Sequence, residues 1–184
     1  RKEIVEVFKK FNYKSRIEYK ELQSFLMDIH GNKTKIAANQ IESKGKYPVI
    51  TQENDRTIAG YTNVEKVIDD LPLIVFGDHS CTFKYIDFPF VRGADGTKLL
   101  KVDESVIITK FLYEYLQTIQ IVNSGKYERH FKYLKQIKVP VPSISDQLTI
   151  ISKIETLKQK IQEANALISG CKERKKQILE KYLK

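Results

Sequence analysis

Only two cysteines, Cys81 and Cys171, occur in the 184 residues, far apart and without ligand spacing. That excludes a disulfide scaffold and a thiolate metal site, and it suits a reducing cytoplasm with free thiols. The three histidines, His30, His79 and His130, are scattered and have no cysteine partner at zinc spacing, so no metal is expected. There is no run of eighteen apolar residues and no signal peptide opens the chain, so a membrane protein is not expected. A phosphate-binding loop is also missing. Gly31-Asn32-Lys33-Thr34 ends like one but lacks the first glycine of G-x-x-x-x-G-K-[ST]. No glycine-rich loop for S-adenosylmethionine and no internal repeat occur, so neither a cofactor nor a solenoid is expected.

What the chain has is positive charge and enough apolar residues for a core. Its formal net charge is +9, with 41% hydrophobic residues. From Pro142 onward there are nine Lys and Arg against five Asp and Glu, so the excess is shared between the C-terminal stretch and the rest. A balance of this size favours a polyanionic partner, most often nucleic acid. The chain opens at Arg1 rather than Met and is expected to be trimmed or a piece of something larger.

Along the chain, residues 1–11 have helical period, with Ile4, Phe8 and Phe11 on one face. Strands are expected at Phe25-Leu26-Met27-Asp28-Ile29, Tyr47-Pro48-Val49-Ile50-Thr51 and Ile58-Ala59-Gly60-Tyr61, and above all at Leu73-Ile74-Val75-Phe76, an apolar run bounded by Pro72 and Gly77. The turn Gly77-Asp78-His79-Ser80 predicts a hairpin with 81–86, and Gly93-Ala94-Asp95-Gly96 leads into a further strand over 98–102. Helical period returns over 109–121. The prolines of Val139-Pro140-Val141-Pro142 then predict a stiff hinge, with Ser143 or Ser145 as N-cap of a C-terminal helix.

That helix carries a stripe. Residues 145–184 hold Ile150, Ile154, Leu157, Ile161, Ala164, Ile168, Cys171, Lys175, Ile178 and Tyr182 in unbroken 4-3 alternation, and only Lys175 is polar. A 3.5-residue repeat held this long belongs to a helix that packs along another helix. At about 1.5 Å per residue the rod is roughly 60 Å long, more than a small domain can cover. Pairing of two copies is therefore expected, with Ile150, Ile154, Leu157, Ile161, Ala164, Ile168, Cys171 and Ile178 as the dimerisation residues. The expected fold class is α+β: a small domain with a mixed or antiparallel sheet over 1–141, residues 1–18 having no assigned role, then a coiled-coil-forming helix over 142–184.

The segment Lys126-Tyr127-Glu128-Arg129-His130-Phe131-Lys132-Tyr133-Leu134-Lys135 interleaves cations with aromatics. Such residues fit phosphate neutralisation and base reading, with Arg129 able to hold guanine bidentately. They fit a solvated helix face over a Phe131 and Leu134 core equally well. Lys33, Lys35, Lys44, Lys46 and Arg56 add charge on expected loops. Asp87-Phe88-Pro89-Phe90 resembles the Asp-Pro-Pro-Phe tetrapeptide of DNA amino-methyltransferases, but has Phe in second place.

Several strings, in this order, resemble the target-recognition domain of type I restriction-modification specificity subunits. They are Tyr47-Pro48-Val49-Ile50-Thr51-Gln52, Gly60-Tyr61-Thr62, Ile74-Val75-Phe76-Gly77-Asp78-His79-Ser80, Lys84-Tyr85-Ile86-Asp87-Phe88-Pro89-Phe90 and Gly125-Lys126-Tyr127-Glu128-Arg129-His130. Val139-Pro140-Val141-Pro142, with Asp146, Gln147 and Ile150, is similar to the start of that family's spacer helix; Ser143 and Asp146 stand where the family often has Pro and Glu. The resemblance implies a non-catalytic DNA-recognition subunit that directs methyltransferase and, through it, restriction subunits. The family usually carries two recognition domains and two antiparallel spacer helices, so a chain with one of each is expected to be a half-subunit, a fragment or the specificity module of a fused type II restriction-methyltransferase. The alternative is a coiled-coil assembly adaptor whose basic surface is incidental. Residues expected at the DNA are Lys33, Lys35, Lys44, Arg56, Lys84, Lys126, Tyr127, Arg129, His130 and Lys132. The Asp87 string would then be structural.

Overall fold

In the computed structural model, residues 2–12, 17–29, 35–53, 56–94, 96–121 and 130–182 are described. The centre is the strand Leu73–Gly77, buried along its whole length. Successive strand residues point to opposite faces. Ile74 and Phe76 therefore face one apolar cluster, among helices. Leu73 and Val75 face a second, between two sheets. Burial on both faces is why this run is continuous rather than alternating.

Numbered in chain order, the elements are α1 (Lys2–Asn12), β1 (Glu18–Glu21), β2 (Leu26–Met27), β3 (Tyr47–Ile50), β4 (Gly60–Thr62), β5 (Val67–Ile68), β6 (Leu73–Gly77), β7 (Phe83–Ile86), β8 (Phe90–Arg92), β9 (Thr97–Val102), α2 (Thr109–Leu116), α3 (Phe131–Leu134), β10 (Lys138–Val141) and α4 (Ile144–Tyr182). One sheet has the order β2-β9-β6-β7 and is antiparallel throughout. The second, β4-β3-β8-β5, is mixed because β3 and β8 run parallel. Helices α1, α2 and the start of α4 cover the outer face of the first sheet, and the second sheet covers its inner face. Ile36, Val49 and Val91 close a small cluster on the far side of the second sheet. The α+β class with a long C-terminal helix is thus the observed one.

Two expectations change. The proline segment is a strand rather than a hinge: β10 pairs antiparallel with β1, Glu18 opposite Val141 and Tyr19 opposite Pro140. Proline is tolerated there because a two-stranded ribbon has edges that need no donor. The partner strand, Glu-Tyr-Lys-Glu, has no apolar run to announce it. The second change lies in α4. Ser143 caps it as expected, its Oγ accepting from the Asp146 N–H at 3.2 Å. Ile150, Ile151 and Ile154 then sit in the globule's own core rather than in an exposed seam. Each contributes about 2 kcal/mol by burial. Leu157 is half-buried, and from Ile161 to Tyr182 every described position is exposed.

Candidate nucleic-acid interface

Strand direction gathers loops at one rim. β3 and β8 run parallel and end together, since the Gly93 N–H donates to the Ile50 carbonyl at 2.9 Å. Gly77 at the end of β6 lies opposite Thr97 at the start of β9. Gln52 ties the two sheets at this rim, its Oε1 accepting from the His79 N–H at 3.2 Å. Gly96, at φ +81°, is required here, because a Cβ would meet the Gln52 amide.

A buried Asp78 joins the last piece. Its Oδ1 accepts from the Phe131 N–H at 2.8 Å, and its carbonyl accepts from His130 Nδ1 at 2.9 Å. A carbonyl only accepts, so Nδ1 carries the proton. His130 thus reaches Asp78 from 52 positions along the chain. Lys98 Nζ lies 3.8 Å from Asp78 Oδ2 and 5.8 Å from the Phe131 ring centre, with Lys135 on the same ring at 5.6 Å. The Cys81 thiol is pushed up by burial, and Asp78 adds to that, so it stays protonated.

The described residues expected at DNA divide three ways. Lys35, Arg56 and Lys132 are exposed around this rim, Lys35 because Ile36 bridges to Gly93. Lys44 is exposed but belongs to the opposite end, beside Gly45, which is packed on Thr62 at the far end of β3 and β4. Lys84 and His130 are buried, and each bonds to a backbone carbonyl within the fold. Lys84 Nζ donates to the Thr51 carbonyl at 2.9 Å and to the Arg56 carbonyl at 2.7 Å, holding the loop that presents Arg56. An inward-facing lysine on a short strand gives no signal in sequence that separates it from a loop cation. Lys33, Lys126, Tyr127 and Arg129 lie outside the described residues. Lys98, absent from the expected set, was hinted at only by its place after the Gly93 to Gly96 turn.

Residues 14–169 match the family described as type I restriction modification DNA specificity domain. The chain belongs to this family. Among solved structures, the specificity domain is similar to the type I restriction-modification S subunit of M. genitalium, with TM-score 0.59, 19% identity and coverage of 88% of this chain and 44% of that one. It is also similar to the HsdS subunit of Thermoanaerobacter tengcongensis, with TM-score 0.55, 14% identity and coverage of 80% and 38%. It spans less than half the length of either. No curated protein matches it.

In the specificity domain Asp87-Phe88-Pro89 link β7 to β8, and Phe90 opens β8, wholly buried between the two sheets. Among the described residues no three His, Cys, Asp or Glu side chains come together as metal ligands. None of its described helices is long and apolar enough to cross a membrane. The spacer-helix similarity has a physical counterpart in Gln147, which is wholly buried. Its Nε2 donates to the Pro142 carbonyl at 2.9 Å and the Val106 carbonyl at 3.0 Å, while its Oε1 accepts from the Ile108 N–H at 2.8 Å. One side chain thus joins the start of α4 to the start of α2. Of the expected dimerisation residues, Ile161, Ala164, Ile168, Cys171 and Ile178 are exposed on the rod.

Proposed function

We propose that this chain recognises a short sequence in double-stranded DNA, has no active site of its own, and directs the methyltransferase and nuclease subunits of a type I restriction-modification system. The observation that carries the reading is the family match over residues 14–169. The net charge of +9 supports it, as do the exposed Lys35, Arg56 and Lys132 around one rim of the paired sheets. Cations there would neutralise phosphates, and loops held by Gln52, Lys84 and Asp78 would carry the base-reading groups without having to order first. Two copies pairing antiparallel through the exposed length of α4 would place one rim at each end of a two-fold assembly. A two-fold protein fits a two-fold site, so the target is two inverted half-sites around unread bases.

The test is selection from a random duplex pool at physiological salt. One short half-site in two inverted copies is expected, and Lys132→Ala should weaken all duplexes alike and lower the salt slope by about one. Equal retention of all sequences would overturn the reading in favour of an adaptor with incidental charge.

A further inference from the structure

We propose that Glu114 and Lys158 form a positioning clamp that sets the direction in which α4 leaves the globule, and through it the number of unread bases between half-sites. The second half of this inference rests on the DNA-recognition reading; the first half does not.

The helix is held at two places by directional bonds. Gln147, itself wholly buried, fixes its first turn through three hydrogen bonds. Three turns later Lys158 Nζ reaches back to Glu114 on α2, 2.6 Å from Oε1 and 2.8 Å from Oε2. The Glu114 side chain is 1% exposed, and Lys110, one turn before it, lies 3.8 Å away as a second cation. The Tyr113 ring packs beside both ammonium groups, at 5.7 Å from Lys110 and 5.9 Å from Lys158. Between the two anchors Ile150, Ile151 and Ile154 are the buried apolar residues by which this helix joins the core. Apolar contact is non-directional and allows a helix to roll and tilt; two short bonds to one buried carboxylate do not.

Leverage makes the second anchor consequential. Gln147 and Lys158 are about 16 Å apart along the helix, and about 36 Å of rod continues beyond Lys158 to Tyr182. With Gln147 as pivot, a slip of about 1 Å at Lys158 moves the far end by about 3 Å, close to one base-pair step of about 3.4 Å. Glu114 is buried while Lys158 is partly exposed, and an ion pair that buries a carboxylate is a weak way to gain stability compared with an apolar pair of the same volume. Its place here, at the bond from α4 to the globule farthest along the helix among those described, is where direction is decided.

The experiment uses the double variant Glu114→Met, Lys158→Met, which removes both charges together and leaves no unpaired carboxylate in the core. Its thermal midpoint should match or exceed that of the unmodified chain. Spin labels at Cys171 and at Lys66→Cys, in a Cys81→Ser background and diluted with unlabelled chain, then report the intrachain distance from rod to globule. The distance distribution should be at least twofold broader in the double variant, and Lys158→Arg should keep it narrow. On duplexes with fixed half-sites and stepped spacing, the double variant should accept more spacer lengths while reading the same half-sites. An unchanged distance distribution overturns the clamp. A broadened distribution with an unchanged spacer preference overturns the link to target spacing. If the unmodified chain prefers no duplex, the DNA reading fails by itself, and the distance measurement still decides the clamp.

Discussion

Three hydrogen bonds meet on the wholly buried Gln147 amide, two to the backbone of Val106 and Ile108 before α2 and one to the Pro142 carbonyl before α4. Removing that amide leaves an N–H and two carbonyls in the core without partners, which is costlier than the loss of the bonds in water. Gln147→Leu, nearly the same size, should lower stability by about 3 kcal/mol in urea titration, with the m-value unchanged. Lys84 and His130 make the complementary point. Both read in sequence as candidates to meet phosphate, yet Lys84 donates to loop carbonyls and His130 to Asp78. A residue's type announces what it can bond, whereas its partner is set by residues dozens of positions away.

At the scale of elements, α4 is one helix with two environments. Its period was plain in sequence, because 3.5-residue spacing is a property of consecutive residues. That Ile150 and Ile154 serve the globule while Ile161 and Ile168 remain exposed was not plain, since all four fit the same stripe. The division predicts different outcomes for the same substitution. Ile161→Asp with Ile168→Asp should give a folded monomer by light scattering at tens of micromolar, with circular dichroism of the globule retained. Ile154→Asp should instead lose cooperative unfolding, because it places an unpaired carboxylate in the core. An unmodified chain that is itself monomeric at that concentration would refute pairing through the rod. The segment 139–141 shows the reverse case: its prolines argued for a hinge, and pairing with distant β1 made it a strand.

For the whole molecule, the proposed antiparallel pair makes rod length a ruler. A rod of roughly 60 Å limits the separation of the rims to about eighteen base pairs. Inserting one heptad around Ala164 adds about 10.5 Å, or about three base pairs, while turning the helix face by only about 20°. Selection with that variant should return the same half-sites with a longer spacer. A spacer that does not lengthen, or a target that is asymmetric for the homodimer, would count against the two-fold arrangement.

The amino-acid sequence alone determined the charge balance, the buried strand Leu73–Gly77, the hairpin that follows it, the helix from Thr109, which ends at Leu116 rather than at 121, and the long C-terminal helix. Each of these is written in neighbouring residues through period, turn chemistry or capping. It did not reveal β1, β5 or β8, which are short and borrow their stability from partners. Nor did it show which cations share a rim. Lys35 and Lys44 are nine positions apart, yet parallel pairing of β3 with β8 and the Ile36 to Gly93 bridge send them to opposite ends. Strand order is chosen by apolar faces that meet only in three dimensions, so the rim and the direction of the rod were for the tertiary structure to decide.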